Sequence, residues 1–556
     1  MHFFKCQSFS QVSKVLLSCK VKMENNILHG PPVKKIPNIT LGKHLFDCLR
    51  SNGEHIMQID ANTNRHYTCK DILEKSIIVS NALRNYEINV EDKISIAAEN
   101  HPNYMTVMCA SLFIGATFTP LNPTYTEREF KHMLEIYQPR LLFVSQCTEK
   151  ILAKIASTLS WNMKLIELDD KSLDENIITL KEIVEKYRNI TDLNMFLPTQ
   201  IDDNSKRTAV IFCSSGTTGF PKGVMLSHKN LLIFMEAAKY PGYVNIEHGD
   251  RIMIFLPLFH GYAFGMMTIA ITCGATVCIM RNFDLETLLK SVEQYRITNI
   301  PLVSPVLVTL AKHPMVLNYD FSSVREIVCG AAPFPKDIAD EVKRRTKVKT
   351  IRNGYGMTEL TIVSNISNPM SNDNSVGPVM AGLKYKVVNT ETGKTLSARE
   401  VGEVCFAGDR VMLGYFKNPK ITAETIDKEN WLHTGDLGYF TEEGTLYITG
   451  RIKEIIKYKG FQVSPSEIEE IIMSHPSVKD AAVLGKPDEL SGELPMALVV
   501  RQPGKIISEK EILDFTNEQL SPQKRLRGGV KFIEDIPKTP SGKIIRKELI
   551  NLISKL

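Results

Sequence analysis

No stretch of this chain carries a run of like charge long enough to make a nucleic-acid-binding arm, and no segment repeats or falls into low complexity. Its eleven cysteines, an odd number, are scattered without a CxxC pair or a Cys/His cluster. That distribution speaks for reduced thiols in an intracellular protein, and against a disulfide framework or a zinc site. Long hydrophobic runs are missing too. The longest, Ala263 to Met280, contains threonines and Gly274 and stops at Arg281-Asn282. A helix and a strand, broken at Cys273-Gly274-Ala275, account for it without a membrane span.

What is present is ordinary in bulk and specific in detail. A chain of 556 residues exceeds one hydrophobic core. With 43% hydrophobic and 23% charged residues it reads as soluble and globular. The net charge of +5 suits anionic ligands such as nucleotides, and equally a slightly basic protein with none. Met1 to Met23 has four lysines, four serines and no acidic residue or arginine. Residues 1–29 are therefore read as a leader of uncertain fate, either an organelle presequence or an optional extension ahead of a start at Met23. The chain closes on Ser554-Lys555-Leu556, a tripeptide address for peroxisomal import, which makes the import receptor an expected partner.

Between these ends the periodicity predicts alternating helices and strands. Expected helices are Asp71 to Arg84, Glu127 to Glu135, Asn230 to Ala238 and Leu285 to Tyr295. Expected strands are Lys93 to Ala98, Leu141 to Val144, Val210 to Cys213 and Arg251 to Phe255. Repeated βα units imply an α/β fold of largely parallel sheets covered by helices. Beyond Asp373 short strands such as Lys384 to Val388 and Gly402 to Ala407 point to a small antiparallel or barrel-like part. After Gly450-Arg451-Ile452-Lys453, about a hundred residues carry their own pattern and suffice for a separate α+β domain. Its helices are Ser466 to Met473 and Glu509 to Gln519, its strands Ala481 to Gly485 and Met496 to Val500.

Five motifs carry chemistry. Ser214-Ser215-Gly216-Thr217-Thr218-Gly219-Phe220-Pro221-Lys222-Gly223 follows a buried strand; small hydroxyl residues and glycines let backbone N–H groups approach a polyphosphate, and Lys222 supplies charge. Its spacing is not that of the Walker loop. Asn353-Gly354-Tyr355-Gly356-Met357-Thr358-Glu359 lets a flat ligand lie on the backbone, and Glu359 offers a hard oxygen to Mg²⁺. Trp431-Leu432-His433-Thr434-Gly435-Asp436-Leu437-Gly438 reads as a turn whose carboxylate can accept both hydroxyls of a ribose. The fourth is Gly450 to Lys457 with Tyr458-Lys459-Gly460-Phe461-Gln462-Val463. The fifth, Pro537-Lys538-Thr539-Pro540-Ser541-Gly542-Lys543-Ile544, is a framed loop with a lysine on its tip.

In this order the five motifs resemble the adenylate-forming superfamily of acyl-CoA synthetases, 4-coumarate–CoA ligases and beetle luciferases, from about Gly30 to Lys547. The resemblance implies a large N-terminal domain (30–450) of two helix-covered sheets plus a β-barrel-like subdomain. A hinge (451–453) at Lys453 would join it to a small C-terminal lid (454–556). It implies ATP, Mg²⁺ and coenzyme A as ligands, and a carboxylic acid as substrate. Ser214, Ser215, Gly216, Thr217, Thr218 and Lys222 would form the phosphate loop, with Thr217 and Glu359 beside the metal. Gly330 and Ala331 would border adenine, Asn353, Gly354, Tyr355, Gly356 and Thr358 the nucleotide, and Asp436 and Arg451 the ribose. Lys543 would bridge carboxylate and α-phosphate during adenylation. Lys457 and Gly460 would serve the thioester step, and Gln462 would touch the adenylate. His260 and Tyr262 would gate an acid pocket lined by Ile300, Leu302, Leu360 and Ile362.

Two positions depart from the luciferases. Light-producing beetle enzymes typically carry an arginine where this chain has Phe234, and a small serine where it has Ile362. The expected activity is therefore an AMP-forming acyl-CoA synthetase acting on a fatty or aryl acid. A luciferase-type monooxygenase and a non-catalytic nucleotide-binding relative are the alternatives; the latter needs a missing charge, and none of the motif charges is missing.

Overall fold

The computed structural model describes residues 21–214, 221–330, 334–369, 371, 374–459, 461–488, 491–540 and 542–553, without the side chain of Gln462. The apolar β-branched runs become strands buried on both faces, as parallel sheets require. One eight-stranded sheet holds Thr117–Leu121, Lys93–Ala97, Leu141–Val144 and Lys164–Glu167 side by side in parallel. Thr208–Ser214 joins it in parallel beside Thr117–Leu121 and folds back against Lys222–Ser227 as an antiparallel hairpin. The second eight-stranded sheet runs parallel through Ile56–Asp60, Thr276–Ile279, Arg251–Ile254, Asn299–Val303, Glu326–Gly330 and Thr350–Tyr355.

Helices cover these sheets, and their starts are written locally. Thr68 and Asp71 form a reciprocal cap on Cys69–Asn85, as Thr126 and Glu129 do on Glu127–Tyr137. The apolar run divides as expected: the helix Gly261–Cys273 ends on Gly274, whose φ of +70° closes it, and the strand Thr276–Ile279 follows. Among the described residues no helix is long and apolar enough to cross a membrane.

A six-stranded antiparallel sheet comes next, in the order Lys22–Glu24, Ile27–His29, Lys384–Val388, Gly402–Ala407, Leu432–Phe440, Leu446–Arg451. The hairpin 22–29, part of the segment read from sequence as a leader, is paired into this sheet, His29 opposite Lys384 with Leu28 fully buried. One sequence expectation changes here. The expected turn around Asp436 is the middle of a nine-residue strand, because the apolar side chains of Leu432, Leu437 and Phe440 are buried.

The strand Leu446–Arg451 passes through a short 3₁₀ turn, Ile452–Glu454, into a separate five-stranded sheet. That sheet has its own core of Ile456, Val463, Ile468, Val483, Val499 and Ile512. Arg546 ties it together, pairing with Glu454 and Glu469 at 2.9 Å each. This C-terminal unit leans on the larger one: the Lys312 amine donates to the Val478 carbonyl, and the Asn374 amide to the Glu470 carboxylate.

Candidate active site

The hairpin of Thr208–Ser214 and Lys222–Ser227 places Ser214 opposite Lys222. The loop that carries Ser215, Gly216, Thr217 and Thr218 lies outside the described residues, as do Ala331 and Gly460. Glu359 sits in the 3₁₀ turn Thr358–Leu360 and is 4% exposed. Its Oε1 accepts from the Ser214 hydroxyl at 3.2 Å and from the Tyr415 phenol at 2.9 Å. The Lys222 ammonium lies 5.3 Å from the centroid of the same Tyr415 ring. Tyr415 thus stands between the carboxylate and the lysine, and burial pushes its phenol up so that it stays a donor. A buried hard carboxylate beside a cation at the mouth of a hydroxyl-rich loop fits MgATP phosphates.

The ribose end is built by three strands. Asp436 and Arg451 face each other in register on Leu432–Phe440 and Leu446–Arg451, and Arg451 Nε lies 2.9 Å from Asp436 Oδ1. Tyr355, at the end of Thr350–Tyr355, donates its phenol to Asp436 Oδ2 at 2.6 Å. Gly356 follows, where a Cβ would fall 2.1 Å from the Ile362 carbonyl, so only glycine lets these two backbones touch. Gly330, Asn353 and Gly354 lie on the neighbouring strand ends of the same sheet.

The C-terminal unit brings its terminal loop into this cleft. Thr539 and Lys543 close a tight turn through Gly542, whose φ is +83° and whose hypothetical Cβ would lie 3.3 Å from Val303 of the large unit. Lys543 is half-buried there. Burial lowers its amine, Arg451 adds to that, and Glu359, Asp436 and Glu454 pull the other way. The same loop lysine therefore feels both the ribose carboxylate and Glu359. Lys457 is exposed on the strand Ile456–Tyr458, opposite Gln462 in the pairing, and Lys453 is exposed in the 3₁₀ turn.

On the acid side, His260 caps the helix Gly261–Cys273, its Nδ1 accepting from Tyr262 N at 3.3 Å. Burial, with help from the charge of Lys543, pushes its imidazole down to about 4. Tyr262 anchors its phenol on the Val328 carbonyl at 2.9 Å. Ile362 and Phe234 pack on the glycine face of this helix: a Cβ at Gly265 would lie 2.7 Å from Ile362 Cδ1 and 3.1 Å from Phe234. Ile300, Leu302 and Leu360 have no exposed surface and belong to the core, whereas Ile362 retains 8%.

Residues 46–416 match the AMP-binding enzyme family, and residues 467–543 the AMP-binding enzyme C-terminal domain. The chain belongs to the adenylate-forming enzymes. It is 36% identical to "Luciferin 4-monooxygenase" of Nipponoluciola cruciata over 543 residues, covering 96% of this chain and 98% of that one. It is also 36% identical to "4-coumarate:CoA ligase 1" of Petunia hybrida over 534 residues, covering 93% and 95%. Its fold matches the structure of the anthranilate CoA ligase AuaEII in complex with anthranoyl-AMP at a TM-score of 0.86, with 22% identity over 94% of this chain and 99% of the other.

Two groups in this adenylate-forming enzyme escaped the sequence reading. Tyr415 had no signal beyond a Gly-Tyr pair. Arg410 is fully buried with no carboxylate partner among the described residues. Its guanidinium donates to the carbonyls of Ala381 at 3.3 Å, Thr361 at 3.2 Å and Val363, and lies 5.3 Å from the Phe234 ring centroid. It thereby holds Thr361 and Ile362 at φ of +54° and +80°, a region β-branched residues avoid.

Proposed function

We propose that this adenylate-forming enzyme is an AMP-forming acid–thiol ligase that joins a hydrophobic carboxylic acid, fatty or aryl, to coenzyme A. The observation that carries the reading is the seat of the Gly542–Lys543 turn against Val303 of the large unit, where the Lys543 amine feels the charges of Arg451, Glu359 and Asp436, while Lys457 stands exposed on the same C-terminal unit.

In the first step a carboxylate oxygen bonds to the α-phosphorus of ATP and the bridging P–O bond to the β-phosphate breaks, so that pyrophosphate leaves with the electron pair. Two anions must meet, and cations placed where charge gathers lower the barrier. Lys543 serves the carboxylate and α-phosphate, and Lys222 the leaving phosphates. Glu359 and Thr217 would hold Mg²⁺, which would neutralise charge on the phosphates. Asp436 and Arg451 fix the ribose, and neutral His260 borders the acid without adding charge. In the second step the coenzyme A sulfur bonds to the acyl carbon and the C–O bond to AMP breaks. Rotation about Lys453 withdraws Lys543 and brings Lys457 and Gly460 to the site, one lid serving two half-reactions. Phe234 and Ile362 are buried where light-producing beetle enzymes typically carry an arginine and a small serine, and this change of side chains favours thioester formation over light emission.

ATP–pyrophosphate exchange screened across fatty, cinnamic and luciferin-type acids tests the first step. Repeating the active acids with coenzyme A, and separately with O₂ under photon counting, tests the second. Thioester without light is expected; light without thioester overturns the ligase reading, and no exchange with any acid overturns adenylation. We also propose import into peroxisomes through Ser554-Lys555-Leu556, outside the described residues. Deleting them should leave a tagged enzyme cytosolic, and continued import would refute the assignment.

A further inference from the structure

Cysteine and histidine spacing gives no metal signature in this chain, yet the antiparallel sheet assembles a ligand set. Glu403 and Cys405 lie on Gly402–Ala407, His433 on the adjacent Leu432–Phe440, with Cys405 opposite His433 in register. One donor atom from each, the Glu403 carboxylate, the Cys405 sulfur and the His433 imidazole, lie within 4.8 Å of one another. His433 Nδ1 is 3.5 Å from Cys405 Sγ and 2.8 Å from Glu403 Oε2. A tetrahedral Zn²⁺ bound to one sulfur and one nitrogen separates those atoms by roughly 3.5 Å. The sulfur–nitrogen edge already has that length, and the nitrogen–oxygen edge needs to lengthen by about half an ångström.

The surroundings fit a ligand set as well. The other imidazole nitrogen, Nε2, faces Asp427 Oδ2 at 3.4 Å, the carboxylate that orients a metal-bound histidine from behind. The other Glu403 oxygen, Oε1, accepts from Gly435 N at 3.0 Å, which leaves Oε2 to turn toward the thiol. Cys405 is buried and His433 keeps 35% side-chain exposure, so an ion would come in from the histidine side and find a place for one water.

We infer that Glu403, Cys405 and His433 form a site for a borderline-soft divalent cation of the Zn²⁺ class, with water as fourth ligand and Asp427 behind the histidine. Thiolate and imidazole select against the Mg²⁺ of the nucleotide site. The ion replaces two protons, that of the Cys405 thiol and that of His433 Nδ1, which now faces the Glu403 carboxylate; both leave to solvent, and no redox change occurs. It ties two strands together at His433, three residues before Asp436, so it braces the ribose carboxylate from outside the cleft. This site does not depend on the substrate assigned above.

The test uses the full chain, stripped with chelator and titrated with Co²⁺ alone. One equivalent should bind, with a thiolate-to-cobalt charge-transfer band and strong visible bands of tetrahedral cobalt, and one equivalent of Zn²⁺ should bleach both. Cys405→Ser should remove the charge-transfer band, while Cys147→Ser, at an exposed thiol, should keep it. Asp427→Asn leaves all three ligands and should weaken Co²⁺ binding about 10–100-fold; it keeps the proposal testable if Cys405→Ser does not fold. No stoichiometric band, a band that survives Cys405→Ser, or unchanged affinity in Asp427→Asn overturns the site.

Discussion

Asp436 and Arg451 stand opposite each other on adjacent antiparallel strands, and their side chains close an ion pair at 2.9 Å that also marks where the large unit ends. Because Tyr355 holds the second carboxylate oxygen at 2.6 Å, Asp436 has one orientation, fixed before any nucleotide arrives. Arg451 is the last residue of its strand, and the next turn leads into the C-terminal unit. The group proposed to read the ribose is therefore bonded to a residue two positions ahead of Lys453, the proposed pivot of the lid.

Asp436→Asn removes the charge but keeps an oxygen for Tyr355. Hydrogen bonds to charged groups contribute about 1.5–3 kcal/mol, so the KM for ATP in pyrophosphate exchange should rise about 10–100-fold. The unfolding midpoint should move little. An unchanged KM would remove Asp436 from the nucleotide site.

Lys543→Ala should cut pyrophosphate exchange by at least 100-fold, since one charge-placing group of this kind is worth about 10²–10³ in rate. Thioester formation from preformed acyl-AMP should persist. Lys457→Ala should do the reverse. Equal losses of both half-reactions in either variant would refute a lid that uses its two lysines in turn.

The parallel sheets were legible because period and burial are local: Leu141–Val144 is a continuous apolar run, and Asp71 to Arg84 falls inside the observed helix Cys69–Asn85. The motifs were legible because glycine, lysine and hydroxyl residues cluster within single loops. Other features are set by partners far along the chain. Asp436 reads as a turn until strand pairing with Arg451 is known. Tyr415 meets Glu359, fifty-six positions earlier, only after both sheets form. Glu403, Cys405 and His433 meet by register across two strands, which no spacing rule detects.

His228 tests acid stability. It is fully buried, its Nδ1 accepts from Leu41 N at 3.0 Å, and its Nε2 has no partner among the described residues. Burial, with the nearby Arg207 charge, lowers its imidazole from the ordinary 6.5 to about 4. The neutral form is favoured by folding, so this stability is fully present above pH 6.5 and is lost as pH falls toward 4. At about 1.4 kcal/mol per unit the loss amounts to about 3 kcal/mol. Denaturant unfolding between pH 7 and pH 4 should show this slope, and His228→Asn should flatten it; an equal slope in both proteins would assign the acid sensitivity elsewhere.

Arg410 tests how the acid pocket is shaped. Arg410→Met keeps the volume but leaves the carbonyls of Thr361, Val363 and Ala381 without their buried donor, a loss of about 3–5 kcal/mol. The left-handed conformation of Ile362 would then lose its clamp, and acid preference in the exchange assay should broaden along with the fall in stability. Ile362 separates the two causes. Both Ile362→Ala and Ile362→Gly empty the space against Gly265, but at a φ of +80° glycine alone is unstrained. Ile362→Gly should therefore be the more stable of the two by about 1 kcal/mol, and both should admit bulkier acids. If the alanine variant were the more stable, the backbone at Ile362 would not be under strain, and Arg410 would be holding a loop that needs no holding.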